Sequence, residues 1–311
     1  MNYKRLLVSS IVVMTVLTSQ ANAKELQAQV QRSTTTVPNI YSQKNVTTVK
    51  SLSQPYPEIA QLIEYNHCDL ADVKIKEMLE TKPNDINLQA LRAVSMAKQH
   101  KLEPAQFELD KLLKKAPNNP ILHYAQGYVY MQRQTASDVD YIKTTRSLIN
   151  SAIKEFVTAV NLDSKYFQAY NAMGVATLKL GNRNDALDLF NTSLKINPGF
   201  ANAHDNVGVV QMMNGDLDAA EKSFMSAMKY NTHNPTAWYH MAQVETRRSN
   251  YSKALTWVNH SLHVNPNSSP ALTLQGELYL KQGNQAAAIN SFKKAQLVKP
   301  ENSRPYMNLA T

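Results

Sequence analysis

The 311-residue chain contains one cysteine, Cys68, so no disulfide can form within it. That thiol is read either as a small packing residue or as half of an intermolecular disulfide in an oxidising compartment. Glycine is also scarce: of 8 residues, all but Gly199 fall at two positions of a repeat described below. None is left to cradle a phosphate. G-x-S-x-G, Walker and H-E-x-x-H patterns are missing, and with them the commonest signatures of hydrolase, nucleotide and zinc-protease chemistry. His260 and His263 lie three apart on an expected helix, but no third metal ligand accompanies them, and surface histidines are the simpler reading. No catalytic, cofactor-binding or metal-binding residues are therefore assigned.

Charge is modest, at 18% Asp, Glu, Lys and Arg, and the formal net charge is +9. Lys and Arg are spread along the chain and accompany no recognition motif, so a dedicated nucleic-acid binder is not expected. A basic excess of this size favours anionic surfaces only weakly and non-specifically. Long apolar runs are lacking except for the 12 residues from Leu6 to Leu17. A membrane-spanning helix needs roughly 17–25 residues. With Lys4 and Arg5 before the run and Ala21-Asn22-Ala23 after it, residues 1–23 read as a secretory signal cleaved after Ala23. The alternative is an uncleaved membrane anchor. A mature chain from Lys24 carries +7, from 31 basic and 24 acidic side chains. Export to a bacterial periplasm is the expected localisation. No membrane span is expected after cleavage.

What is present is a period. Tyr170, His204, Trp238, Leu272 and Tyr306 are each 34 residues apart. Four residues later stand Gly174, Gly208, Ala242, Gly276 and Ala310. Then come the turn residues Gly181, Gly215, Ser249 and Gly283, followed by Ala186, Ala220, Ala254 and Ala288. Bulky apolar residues follow at Phe190, Phe224, Val258 and Phe292, and each copy closes near a proline: Pro198, Pro235 (displaced), Pro266 and Pro300. A large residue and a small one four apart share a helix face. The turn residue falls where a first helix should stop in the left-handed region. Small and large residues then alternate again on a second helix.

This pattern resembles the tetratricopeptide repeat family, whose unit is a pair of antiparallel helices. The resemblance covers roughly 250 of the 311 residues. It implies an all-α, right-handed superhelical solenoid of about seven helix-turn-helix units. Extended backward, the frame gives units at 52–85, 86–119, 120–166, 167–200, 201–234, 235–268 and 269–302, with 303–311 as part of a further first helix. The array proper spans 55–302, and residues 24–54, rich in Gln, Ser, Thr and Val, form a flexible linker. Pro55 and Pro57 shorten the first helix of unit one. His204 replaces an aromatic residue and is expected to pack. Unit three carries 13 additional residues around Thr135 to Asn150. Helical spacing from Tyr141 to Val160, with Asp138 as a cap, suggests a second helix longer by about 20 Å. It decorates a binding edge, or it is a tolerated loop extension.

Repeat positions 2, 5, 9 and 12 of such arrays face a concave groove. The candidate groove residues are Tyr124, Tyr128, Asn171, Asp205, Tyr239 and Gln243, which offer area and hydrogen bonds to a peptide or partner helix. Asn202 and Val209 share that stripe. The chaperone-binding subgroup carries Lys at position 5 and Asn at position 9, and neither pair Tyr124/Tyr128 nor pair Asn171/Val175 matches, so a carboxylate clamp is not implied. The resemblance suggests an exported, non-catalytic interaction scaffold for an envelope assembly such as a pilus, secretion or cell-wall complex. Two rivals are the repeat portion of a larger enzyme continuing past Thr311, and a binder of anionic envelope polymer. The sequence assigns neither a particular partner nor an oligomeric state.

Overall fold

A computed structural model describes residues 55–133, 141–232 and 234–298. The signal, the linker and the partial helix at 303–311 lie outside the described residues. The described residues form fourteen helices: α1 (Pro57–Glu64), α2 (Cys68–Thr81), α3 (Ile86–Lys98), α4 (Leu102–Lys115), α5 (Pro120–Gln132), α6 (Tyr141–Leu162) and α7 (Phe167–Lys179). They continue as α8 (Arg183–Ile196), α9 (Ala201–Met213), α10 (Leu217–Tyr230), α11 (Pro235–Arg247), α12 (Tyr251–Val264), α13 (Ser269–Lys281) and α14 (Gln285–Val298). Successive helices pack pairwise, and each pair packs on the next, which gives the seven-unit solenoid. In unit two and in units four to seven, a 13-residue helix is followed by a 14-residue helix.

Local chemistry sets the boundaries. Asp85 caps α3 by accepting from the amides of Asn87 and Leu88, Asn119 does the same at α5, and Ser268 serves α13. Pro120 and Pro235 begin α5 and α11, so the displaced Pro235 opens a helix rather than closing one. First helices stop where the chain turns left-handed. Gly181, Gly215, Ser249 and Gly283 have φ of 92°, 87°, 62° and 76°, and Asn66 and His100 do the same work one and two units from the start.

The core is the small–large pairing expected from the period. Phe156, Phe190, Phe224 and Phe292 are fully buried, and each ring lies over the glycine of its unit's first helix. Burial of such a ring stabilises by about 1.5–3 kcal/mol. Position 27 of the unit is alanine at Ala227 and Ala295. At Ser193 and Ser261 the hydroxyl donates to the carbonyl that opens the same unit, Phe167 at 2.9 Å and Pro235 at 2.7 Å. A buried hydroxyl is tolerated there because its partner is fixed.

Two expectations are refined. α6 is 22 residues long against 14 for α8, an excess of 8 and hence about 12 Å rather than 20 Å. Residues 134–140, including Asp138, lie outside the described set. His204 does pack, lying 5.4 Å from Tyr230 with rings nearly parallel, but its Nε2 also bonds the Pro198 carbonyl at 2.9 Å. Gln89 and His123 reach Pro83 and Pro117 in the same way.

Candidate partner-binding groove

The first helices place the candidate stripe on one side of the array, but the chain itself occupies much of it. α1 packs on α2 and α3, and its last residue, Glu64, reaches α5 and α9 through hydrogen bonds. Ile59 and Ile63 are buried, and Glu64 ends the helix inside the groove. The Tyr124 hydroxyl donates to Glu64 Oε1 at 2.6 Å. Lys98 Nζ donates to the Ile63 carbonyl at 3.1 Å and lies 3.4 Å from Glu64 Oε2. Asn202 Nδ2 reaches back 138 residues to the Glu64 carbonyl at 3.1 Å and to Oε2 at 3.4 Å. The side chains of Lys98 and Glu64 are only 7% and 8% exposed. The ion pair is therefore shielded from salt, and its worth depends on these extra hydrogen bonds.

The titration behaviour follows from this burial. Desolvation alone would lower the Lys98 pKa, but the Glu64 charge and neighbouring Tyr128 outweigh it and hold the ammonium above its usual range. Lys98 Nζ sits 5.1 Å from the Tyr128 ring centre. Burial, reinforced by Glu64, pushes the Tyr124 and Tyr166 hydroxyls well above the usual tyrosine range. Burial likewise raises the Cys68 thiol, which keeps it a poor nucleophile.

The six candidate residues thus separate into three environments. Tyr124 is buried beneath α1, and Tyr128 is half-buried beside Lys98. Asn171 and Asp205 are buried in seams between units, not presented to a ligand. Asn206 donates to Asn171 at 2.8 Å, and Asp205 bonds His240 Nδ1 at 3.0 Å. Position 5 of one unit meets position 6 of the next in both cases, and a short polar residue there joins neighbouring units. Tyr239 and Gln243 stay half-exposed on α11, with Gln243 donating to the Tyr239 hydroxyl at 3.0 Å. Asn202 and Val209 are also half-exposed on α9.

Beside α1 is a cavity of about 490 Å³, lined by Ala60, Leu91, Pro120, Ile121, Asp163 and Tyr166 among others. Glu64 and Lys98, the buried ion pair at this surface, were not among the residues that the sequence singled out. No periodic signal marks either of them, because their role comes from where α1 docks. Among the described residues no group of three His, Cys, Asp or Glu side chains could hold a metal ion. Among them also no helix is long and apolar enough to cross a membrane.

Comparison with known proteins gives three family matches, all described as tetratricopeptide repeat, over residues 171–232, 211–278 and 269–302. No curated protein matches the chain in sequence. Among solved structures, the APC/C hetero-tetramer Cut9–Hcn1 is similar with a TM-score of 0.66 at 16% identity, over 82% of this chain and 48% of that one. PilW, described as a widely conserved type IV pilus biogenesis factor, has a TM-score of 0.57 at 16% identity, over 73% of this chain and 99% of its own. Pseudomonas aeruginosa pilF has a TM-score of 0.55 at 16% identity, over 72% and 96%. At these identities the likeness is one of fold.

Proposed function

We propose that this chain, which belongs to the tetratricopeptide repeat family, is a non-catalytic scaffold that holds a peptide or partner helix against the inner stripe of its later units. The observation that carries the reading is the half-exposed run on α9 and α11, where Val209, Tyr239 and Gln243 combine apolar area with amide and hydroxyl groups. That mixture suits a partner segment that needs both contact area and hydrogen bonds. An exported location and a role in an envelope assembly fit the N-terminal sequence. The fold shared with PilW, described as a type IV pilus biogenesis factor, agrees with such a role.

The test is capture of partners from an envelope extract by the mature chain, comparing wild type with the double variant Tyr239→Ala, Gln243→Ala. Capture should fall at least tenfold while the helical signal is unchanged. Capture that survives the double substitution removes the groove at these units from consideration. Capture abolished by raising ionic strength points instead to an anionic polymer held by the net charge.

A further inference from the structure

We propose that α1 is a displaceable occupant of the groove of units two to five. A partner helix gains that surface by presenting two aliphatic residues four apart with a glutamate directly after the second. The proposal deepens the partner-binding reading above and rests on it. α1 is 8 residues long, the shortest helix among those described, and it is joined to α2 by only Tyr65, Asn66 and His67. Its apolar contribution is Ile59 and Ile63, and Glu64 follows at once. The receiving surface is complementary. Lys98 supplies a cation, Tyr124 and Asn202 supply hydrogen-bond donors, and Leu91 and Ile121 line the apolar pocket alongside Ala60.

Two features argue that α1 is more loosely held than the repeat core. A pocket of about 490 Å³, open to solvent, lies directly beside Ala60, so that flank of α1 is left uncovered by the array. The contacts that bind the end of α1 to α5 and α9 are polar and few, and the one to Asn202 spans 138 residues of chain. A short helix with a polar anchor opens at lower cost than a buried phenylalanine layer.

Cys68 is the reporter. It is the only cysteine in the chain, is 7% exposed, and begins α2 directly after the α1 connection. Native-state labelling of its thiol with a soluble maleimide measures opening of α1. Asn202→Ala changes unit five, far from Cys68 in sequence, and should speed labelling at least tenfold with helicity retained. Glu64→Ala should do the same. If Asn202→Ala leaves the rate at the wild-type value, the contact does not hold α1 and the proposal is overturned. A fluorescent peptide of residues 55–66 should bind the Glu64→Ala chain at least tenfold more tightly than wild type, and its own Glu-to-Ala version should not. Equal binding to wild type and variant also overturns the proposal. Those failures leave Tyr239 and Gln243 untouched, so they are distinguishable from failure of the partner-binding reading.

Discussion

Gly208→Ala is the sharpest probe of the repeat physics. An added Cβ would lie 2.6 Å from Phe224 Cε1, 2.8 Å from Cδ1 and 2.9 Å from Cζ. Carbon atoms at rest sit about 3.5–4.0 Å apart, so the ring must retreat by about 1 Å. Phe224 is fully buried and its neighbours leave it no free path. Overpacking of this kind costs about 1–3 kcal/mol. Replacing a mid-helix glycine by alanine returns about 0.5–1 kcal/mol. The net expectation is therefore a loss of up to about 2.5 kcal/mol. Unit six already contains the compensated form, with Ala242 facing the smaller Val258, both fully buried. Phe224→Val alone should cost roughly 2–3 kcal/mol through the cavity it leaves. The double variant should be more stable than the sum of the two losses predicts, by about 1 kcal/mol or more. Because repeat arrays open unit by unit, urea unfolding should be read together with amide hydrogen exchange in α9 and α10. A stabilising Gly208→Ala, or strict additivity in the double variant, refutes the close-approach argument.

Ser249 holds a left-handed conformation at φ 62°, so Ser249→Gly should stabilise by about 1 kcal/mol in chemical denaturation. His123 has a raised pKa, first because of its hydrogen bond to Glu155 at 2.7 Å; only the protonated ring can donate to Glu155 and to the Pro117 carbonyl together. The folded pKa exceeds the unfolded one, so this stabilisation is full below the ordinary histidine range and is lost as pH rises through the raised value. The destabilisation caused by His123→Asn should accordingly shrink between mildly acidic and mildly alkaline urea titrations. Arg248 joins Asp218, Glu221 and Glu245 across α10 and α11, and the Glu245 side chain is only 4% exposed. Arg248→Ala should cost about 2 kcal/mol by thermal denaturation, chiefly by leaving a buried carboxylate with Asn250 alone. A fully additive combination of Arg248→Ala with Glu245→Gln argues against that origin.

The period made the fold legible because each repeated residue does one local task. Gly208 admits Phe224, Gly215 turns the chain, and Ala220 lets helices approach, all within one unit. The site was less legible because groove position does not decide groove use. Asn171 and Asp205 occupy stripe positions, yet their partners Asn206 and His240 draw them into seams. Tyr124 points inward as its spacing requires, and its hydroxyl is then taken by Glu64. That last contact joins unit one to unit three, and Asn202 joins unit one to unit five. Nearest-neighbour repeat rules contain no term for either. Lys98 shows the limit most clearly. Its bond to the Ile63 carbonyl is the same inter-unit link that Arg247 makes to the Met212 carbonyl, but only Lys98 also meets a carboxylate inside the groove.

A self-occupied groove changes what affinity means for this protein. A partner that needs the surface under α1 binds only the fraction of molecules in which that helix has opened, so its apparent dissociation constant rises by the inverse of that fraction. If docking of α1 is worth about 2.7 kcal/mol, the loss is about a hundredfold. A partner seated only on Tyr239 and Gln243, which bond each other on α11, should suffer no such loss. The two modes therefore separate in one measurement. Weakening the hold on α1 through Asn202 should tighten the first kind of partner and leave the second unchanged, provided the second does not itself touch Asn202.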